Sequence, residues 1–74
     1  MQSTQEAVTI AIRVRLAAIN ESQAWLAKQL GESSFWLSRR MNDQPFTLDD
    51  IDRIAEVFGT DIVGLLETAK AVAS

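Results

Sequence analysis

Apolar residues recur every three or four positions along most of this chain, which is the spacing of one face of an α-helix. Ser3 begins the pattern of a capping box, and the apolar residues after it predict a first helix, Thr4–Ile19. A second helix is predicted over Gln23–Leu30, with Ser22 as its N-cap. Gly31 then supplies the positive φ that a sharp exit from a helix requires, so the chain is expected to turn there.

Two further helices are indicated by their caps. Either Ser33 or Ser34 can cap a third helix, Phe35–Met41, and the sequence leaves open which serine does so. Thr47 and Asp50 have the spacing of a capping box and begin a fourth helix. The buried face predicted for this helix consists of Leu48, Ile51, Ile54, Ala55 and Phe58.

A fifth helix is predicted after Asp61, which can cap it. Its apolar residues are Ile62, Val63, Leu65, Leu66, Ala69 and Val72. No segment shows the alternation of a strand, and no internal repeat is present in the sequence. We therefore expect an all-α fold, a compact bundle of five short helices that forms one domain over residues 1–74.

The chain contains neither cysteine nor histidine. The usual thiol nucleophile, general base and transition-metal ligands are therefore missing. We expect that the protein is not an enzyme and that it binds neither a cofactor nor a metal. Asp49, Asp50 and Asp52 do not change this expectation, because the first two favour the positive end of the fourth helix. The most apolar stretch is interrupted by Arg13 and Arg15, so we expect a cytoplasmic protein with no membrane segment.

The net charge of −3 is unevenly distributed. From Arg13 to Arg40 there are five basic residues and two acidic ones, whereas from Met41 onward there are two basic and seven acidic. This polarity fits a protein that presents one basic region to a polyanion. The alternative is that the acidic residues simply cover a solvated face, and the sequence does not decide between the two.

A short helix, a glycine turn and a second short helix form a unit that places one helix across the DNA backbone and the next in the major groove. Gln23, Ala27, Gly31 and Leu37 have the spacing of this unit, which predicts a helix-turn-helix from about Ser22 to Asn42. Ala27 is small where the two helices approach, and Leu37 fixes the second helix to the core.

The segment Leu37–Asn42, continuing through Pro45 into Thr47–Gly59, resembles the Cro and phage-repressor type of helix-turn-helix family, also described as XRE-like or lambda-repressor-like. The resemblance extends from about Ile10 to Leu66. It implies a protein of four or five helices that binds operator DNA, commonly as a dimer, in a bacterial or phage-infected host cell. Glu32 and Arg40 depart from the family pattern, since both positions are usually apolar in the family.

Carried onto this chain, the resemblance implies that Gln23 lies near phosphate and that the third helix reads bases. An arginine there can form two hydrogen bonds with guanine, which favours Arg39, and Phe35 can contact a thymine methyl group. Trp36 is assigned to the core, while Arg13, Arg15 and Lys28 are interpreted as solvated charges. The candidate DNA-binding residues are Gln23, Ser33, Ser34, Phe35, Ser38, Arg39, Arg40 and Asn42.

The function expected from these features is sequence-specific binding of double-stranded DNA by a Cro-like or phage-type repressor that occupies an operator. The alternative is a protein-interaction module or antitoxin-like protein with the same fold and little DNA binding. No small-molecule ligand is expected, because the chain has no room for a sensing domain. A weak homodimer on a palindromic operator is predicted, with an interface formed by Ile62, Leu66, Ala69 and Val72.

Overall fold

The computed structural model describes residues 3–73 and contains, within that range, five α-helices and no strand. The helices are α1 (Thr4–Ile19), α2 (Gln23–Gln29), α3 (Ser34–Asn42), α4 (Leu48–Val57) and α5 (Ile62–Ala73). The all-α fold is confirmed. Bounds were predicted for α1, α2 and α3, and the observed bounds differ from the predicted ones by at most one residue at each end. Positions 1, 2 and 74 of the predicted domain lie outside the described residues.

The helices begin where side chains satisfy their free N–H groups. For α1 to α4, an oxygen of the cap accepts a hydrogen bond at 3.0–3.1 Å from the N–H three residues later; the caps are Ser3, Ser22, Ser33 and Thr47. At α4 the hydrogen bonding is reciprocal, because the Asp50 side chain also accepts from the Thr47 N–H at 3.0 Å. Asp61 accepts from Gly64 N at 2.8 Å at the start of α5. Each such cap stabilises its helix by about 1 kcal/mol.

Three helices end in one common way. Asn20, Gly31 and Gly59 follow α1, α2 and α4 with φ values of 56°, 73° and 71°. The next residue then donates its N–H to a carbonyl five positions back, at 2.9 Å in each case. This left-handed conformation is cheap for glycine and tolerable for asparagine, which explains why these residue types occupy the turns.

The core draws on every helix. Its buried apolar residues are Val8, Ala11, Ile12, Leu16, Leu26, Ala27, Leu30, Leu37, Met41, Phe46, Ile51, Ile54, Ala55, Leu65 and Ala69. The first and last helices, α1 and α5, pack along each other, α2 packs against α3, and α4 contacts both α2 and α5. Among the helices, α3 therefore packs chiefly against α2.

Leu48 corrects the face predicted for α4. It is 73% exposed rather than buried, because it is the first residue of α4 and lies beyond the neighbouring helices. Phe46, two residues earlier, is buried at this end of the core instead. Phe58, at the other end of the predicted face, is half-buried and packs against the core.

None of the helices within residues 3–73 is both long enough and apolar enough to cross a membrane.

Candidate nucleic-acid interface

The region from α2 to α3 consists of two short helices joined by residues 30–33. Gly31 turns the chain, and Ser33 caps α3 by accepting from the Trp36 N–H at 3.0 Å. Ala27 of α2 and Leu37 of α3 are both buried where these helices join the core. The buried side of α3 is thereby fixed, and its opposite side is left on the surface.

We call this opposite side the outer face of α3. Its members are exposed and repeat at helical spacing: Ser34, Phe35, Ser38, Arg39 and Asn42. All five were predicted DNA-binding residues, and the structure brings them onto one surface. It offers hydroxyl, guanidinium and carboxamide groups beside one aromatic ring.

Arg39 is positioned on this face by Phe35. The guanidinium carbon of Arg39 lies 5.5 Å from the centre of the Phe35 ring, one helical turn away, in a cation–π arrangement. Phe35 is 70% exposed, so this ring covers little of the core and remains on the surface.

Ser38 and Asn42 form a second pair one turn further along the helix. The Asn42 side-chain amide donates to the Ser38 carbonyl at 2.6 Å and approaches the Ser38 hydroxyl at 3.5 Å. This leaves the Asn42 side-chain oxygen available as an acceptor on the outer face.

Arg40 lies on a different side of α3. Its guanidinium carbon is 5.1 Å from the ring of Trp36, which is half-buried against the core, as predicted for that tryptophan. Its NH1 donates to the Gln44 side chain at 3.4 Å and to the Pro45 carbonyl at 3.3 Å. Its Nε has no hydrogen-bond partner within residues 3–73 and lies 3.7 Å from the carboxylate of Asp50.

These contacts give Arg40, one of the predicted DNA-binding residues, a structural role, and its side chain is only 24% exposed. The departure from an apolar residue at this position is explained in the same way. The long side chain covers Trp36 and joins the end of α3 to the cap of α4. Ser33, Phe35, Trp36, Arg39, Arg40 and Gln44 line a shallow groove of about 280 Å³ along this boundary.

Gln5 is a positioning residue that the sequence did not indicate. Its amide nitrogen donates to the Arg40 carbonyl at 2.7 Å and to the Gln44 carbonyl at 3.2 Å. Its amide oxygen accepts from the Phe46 N–H at 2.8 Å. One side chain of α1 therefore holds both ends of the segment that connects α3 to α4. No local signal could have found it, because its partners are 35 to 41 residues away.

Glu32, the other departure from the family pattern, forms an ion pair. Its carboxylate lies 3.6 Å from the Arg53 guanidinium of α4, and Arg53 also donates to the Leu30 carbonyl. The turn between α2 and α3 is thus tied to α4 by a polar contact instead of an apolar one. Arg53 also lines a pocket of about 360 Å³ between the end of α2 and α4.

The remaining predicted positions are divided between surface and structural roles. Gln23 is exposed at the start of α2, and Lys28 and Arg13 are exposed as expected. Of the two serines, Ser33 caps α3 and Ser34 is its exposed first residue. The interpretation of Arg15 as a solvated charge is wrong: it is half-buried and bonds to α5.

The Arg15 contacts join α1 to α5. Its Nε donates to the Thr68 hydroxyl at 3.0 Å, and its NH2 donates to the Gly64 carbonyl at 3.3 Å. Thr68 in turn donates to the Gly64 carbonyl at 3.0 Å. This arginine therefore stabilises the packing of two helices and is not free to add to a basic surface.

The apolar stripe predicted as a dimer interface on α5 mostly faces the core. Leu65 and Ala69 are fully buried, so including Ala69 in an interface is wrong: its methyl group is already covered. Ile62 and Leu66 are half-buried and pack against the core, whereas Val72 is 56% exposed. Most of this apolar stripe is thus covered by the packing of α5 within the domain, and Val72 is the predicted interface residue that remains exposed.

Among the described residues, no three acidic side chains are grouped so that they could hold a metal ion. Comparisons of the chain with models of known families, with curated proteins and with solved structures find no match. The family resemblance of the sequence stays a prediction, and function is inferred from the side chains on the surface.

Proposed function

We propose that this chain is a sequence-specific binder of double-stranded DNA that regulates transcription by occupying an operator. In this proposal α2, its turn and α3 act as a helix-turn-helix of the phage-repressor type, and α3 enters the major groove. The observation that carries it is the outer face of α3. A short, firmly held helix presents five exposed side chains, four of them polar, and leaves them uncovered.

The chemistry of this face matches the edges of base pairs. The major groove is about 12 Å wide and admits an α-helix, and it displays acceptors on guanine and a methyl group on thymine. Arg39 is suited to guanine, Asn42 can pair with adenine once it releases Ser38, and the serines can bond to bases or phosphates. Gln23, exposed at the start of α2, is proposed to donate to a phosphate.

The supply of positive charge near this face is small. Of the four arginines between positions 13 and 40, Arg15 and Arg40 form hydrogen bonds within the chain, and Arg13 is exposed on α1. Arg39 is therefore the basic member of the outer face of α3. Each phosphate neutralised contributes about −0.9 to the slope of log affinity against log salt. The exposed basic residues of this half of the chain are Arg13, Lys28 and Arg39, so we expect a shallow slope of roughly −1 to −3 per protomer.

The same scarcity of charge favours a second candidate, a protein-interaction module that uses the outer face of α3 against another protein. The chain is acidic overall, and Phe35 and Leu48 are exposed apolar residues of the kind found at protein interfaces. Affinity for DNA separates the two candidates.

The test is selection of bound duplexes from a random library at low salt, followed by mobility-shift titration of the enriched duplex. The proposed function predicts enrichment of a common sequence and a salt slope in the stated range. Arg39→Ala should lose discrimination at one base pair, while Lys28→Ala, an exposed charge on α2, serves as the control. No enrichment, or a slope near zero, favours the interaction module.

A two-fold dimer on a palindromic operator is a separate proposal, supported mainly by the exposure of Val72 near the end of α5. Two-fold symmetry would place two recognition helices about 34 Å apart, one DNA turn. Sedimentation of the DNA complex, with Val72→Asp for comparison, tests it. A one-to-one complex on a half-site that the substitution does not change contradicts the dimer.

A further inference from the structure

Phe35 and Arg39 form an unusual pair for the surface of a small domain. Phe35 keeps 70% of its surface exposed, although an aromatic ring of this size is normally buried. Arg39 lies over this ring at 5.5 Å and makes no hydrogen bond or ion pair to another residue within 3–73 through its side chain. All five donors of the guanidinium are therefore available to a ligand.

We propose that Phe35 and Arg39 act as one unit that reads a thymine and a guanine adjacent on one DNA strand. Phe35 packs against the C5 methyl group of the thymine, and Arg39 donates two hydrogen bonds to O6 and N7 of the guanine. This inference rests on the proposed function and deepens it, because it names the bases that the outer face recognises.

The spacing of the pair supports adjacent bases. Successive bases of one strand are about 3.4 Å apart along the helix axis, so bases separated by one intervening base are about 7 Å apart along the axis alone. The ring centre and the guanidinium carbon are 5.5 Å apart, and they lie one helical turn from each other on the same face. Because successive bases also rotate about the axis, these values are minimum separations. The distance of 5.5 Å exceeds the minimum for neighbouring bases and falls short of the minimum for bases with one between them, so it fits neighbouring bases.

The cation–π contact also gives the pair a reason to act together. A free arginine side chain loses considerable rotamer entropy when it is fixed on a base. The Phe35 ring already restricts Arg39 in the unbound protein, and the part of Phe35 that Arg39 does not cover is exposed and can contact a methyl group. Removing the ring should therefore weaken both contacts.

The neighbouring aromatic–arginine pair does not compete for this role. Trp36 is half-buried, and the Arg40 guanidinium bonds to Gln44 and Pro45 and approaches Asp50. The other strongly exposed apolar side chains, such as Leu48 and Val63, are aliphatic and offer no ring for an arginine to lie over.

The experiment uses the duplex enriched from the random library as its probe. Each thymine is replaced in turn by deoxyuridine, which lacks only the C5 methyl group, and each guanine by 7-deazaguanine, which lacks the N7 acceptor. Binding is measured for the wild-type protein, Phe35→Ala and Arg39→Ala. Val63→Ala, which shortens an exposed apolar residue on α5, is the control.

We expect one thymine whose replacement weakens wild-type binding about fourfold, the effect of losing one buried methyl-sized group. This sensitivity should disappear in Phe35→Ala and persist in Val63→Ala. The guanine next to that thymine should be sensitive to loss of N7, with binding reduced about fivefold or more in the wild type and unchanged in Arg39→Ala.

Three results overturn the inference while DNA binding stands: no thymine responds, the responsive thymine has no responsive guanine beside it, or the thymine response survives in Phe35→Ala. Failure to enrich any duplex is a different result, because it contradicts the proposed function and this inference together. Thermal unfolding of each variant checks that the exposed positions leave the fold intact.

Discussion

Two neighbouring pairs on α3 have the same arrangement of arginine over aromatic ring but different surroundings. Phe35 with Arg39 and Trp36 with Arg40 each place an arginine over an aromatic ring one turn away, at 5.5 and 5.1 Å. A shift of one residue rotates a side chain by about 100° around a helix. That rotation leaves the first pair on the outer face and turns the second toward the segment that leads into α4.

The Trp36–Arg40 pair is held in place because α4 and the segment before it supply polar partners for Arg40. The Arg40 side chain contacts Gln44, Pro45 and Asp50. The Arg39 side chain lies over the Phe35 ring and has no hydrogen bond or ion pair within residues 3–73. The role of an arginine on α3 therefore depends on which residues are packed beside it. Arg40 contributes to holding α3 in place, and Arg39 is available for recognition.

The largest effect is expected from replacing Leu37, the buried residue that fixes α3, and with it both pairs, to the core. Leu37 is fully buried on the inner side of α3. Leu37→Ala should lower the free energy of unfolding by about 2–5 kcal/mol because it leaves a cavity. Both DNA binding and thermal stability should fall. The control is Ser38→Ala on the exposed side, which should leave the melting temperature nearly unchanged. Equal melting temperatures for the two variants would contradict the buried position of Leu37.

Replacing each of the two arginines by alanine tests the difference between the two pairs directly. Arg40→Ala should lower the free energy of unfolding by about 1–3 kcal/mol, because it breaks charged hydrogen bonds beside the buried Asp50. Arg39→Ala should change stability by less than about 0.5 kcal/mol but cost about 1–3 kcal/mol in binding the preferred duplex. Urea denaturation and mobility-shift titration measure the two quantities. If Arg39→Ala is the less stable variant, the assigned roles are wrong.

Gln5 offers a way to disturb α3 from a distance. Gln5→Ala should lower the free energy of unfolding by about 1–2 kcal/mol, because the Phe46 N–H loses its acceptor in a partly buried site. DNA binding should weaken evenly across sequences, since the end of α3 is displaced and no base contact is removed. Gln23→Ala is the matched control for stability, as this glutamine is exposed. A stability equal to that of the wild type would show that water replaces the three bonds.

The smallest effect concerns the turn before α3. Glu32→Gln removes the charge that pairs with Arg53, and because both side chains are about one-third exposed the loss should be only about 0.2–1 kcal/mol. The difference from wild type should shrink at high salt, where exposed charges are screened. Glu67→Gln, an exposed acid on α5, is the control in the same urea titrations. A difference that persists undiminished in 1 M salt would contradict an electrostatic origin.

Features that depend on neighbouring residues were predictable from the sequence. Ser22, Thr47 and Asp61 cap their helices as predicted, and Gly31 and Gly59 have the positive φ expected of them. These features follow from backbone hydrogen bonding within a few residues, so a single sequence carries the information. Trp36 packs against the core, as predicted from the tendency of aromatic residues in small domains to be buried.

Features that depend on distant partners were not predictable. Arg15 bonds to residues 49 and 53 positions away, and Gln5 to residues 35 to 41 positions away. Nothing in the local sequence distinguishes such side chains from solvated ones. Ala69 and Leu48 were misplaced for a related reason: periodicity identifies an apolar face but does not say where along the helix its neighbours begin and end.

The bond between Gln5 and the Phe46 backbone has a consequence for hydrogen exchange. Most protected amides in helices are held by carbonyls of the same helix, so they exchange when a helix frays or the whole protein unfolds. The Phe46 N–H is held by a side chain of α1, and it is released when that one contact opens. Its exchange rate should therefore report how often the segment joining α3 to α4 detaches from α1. Comparing this rate with those of the buried amides of α1 would separate that local motion from global unfolding.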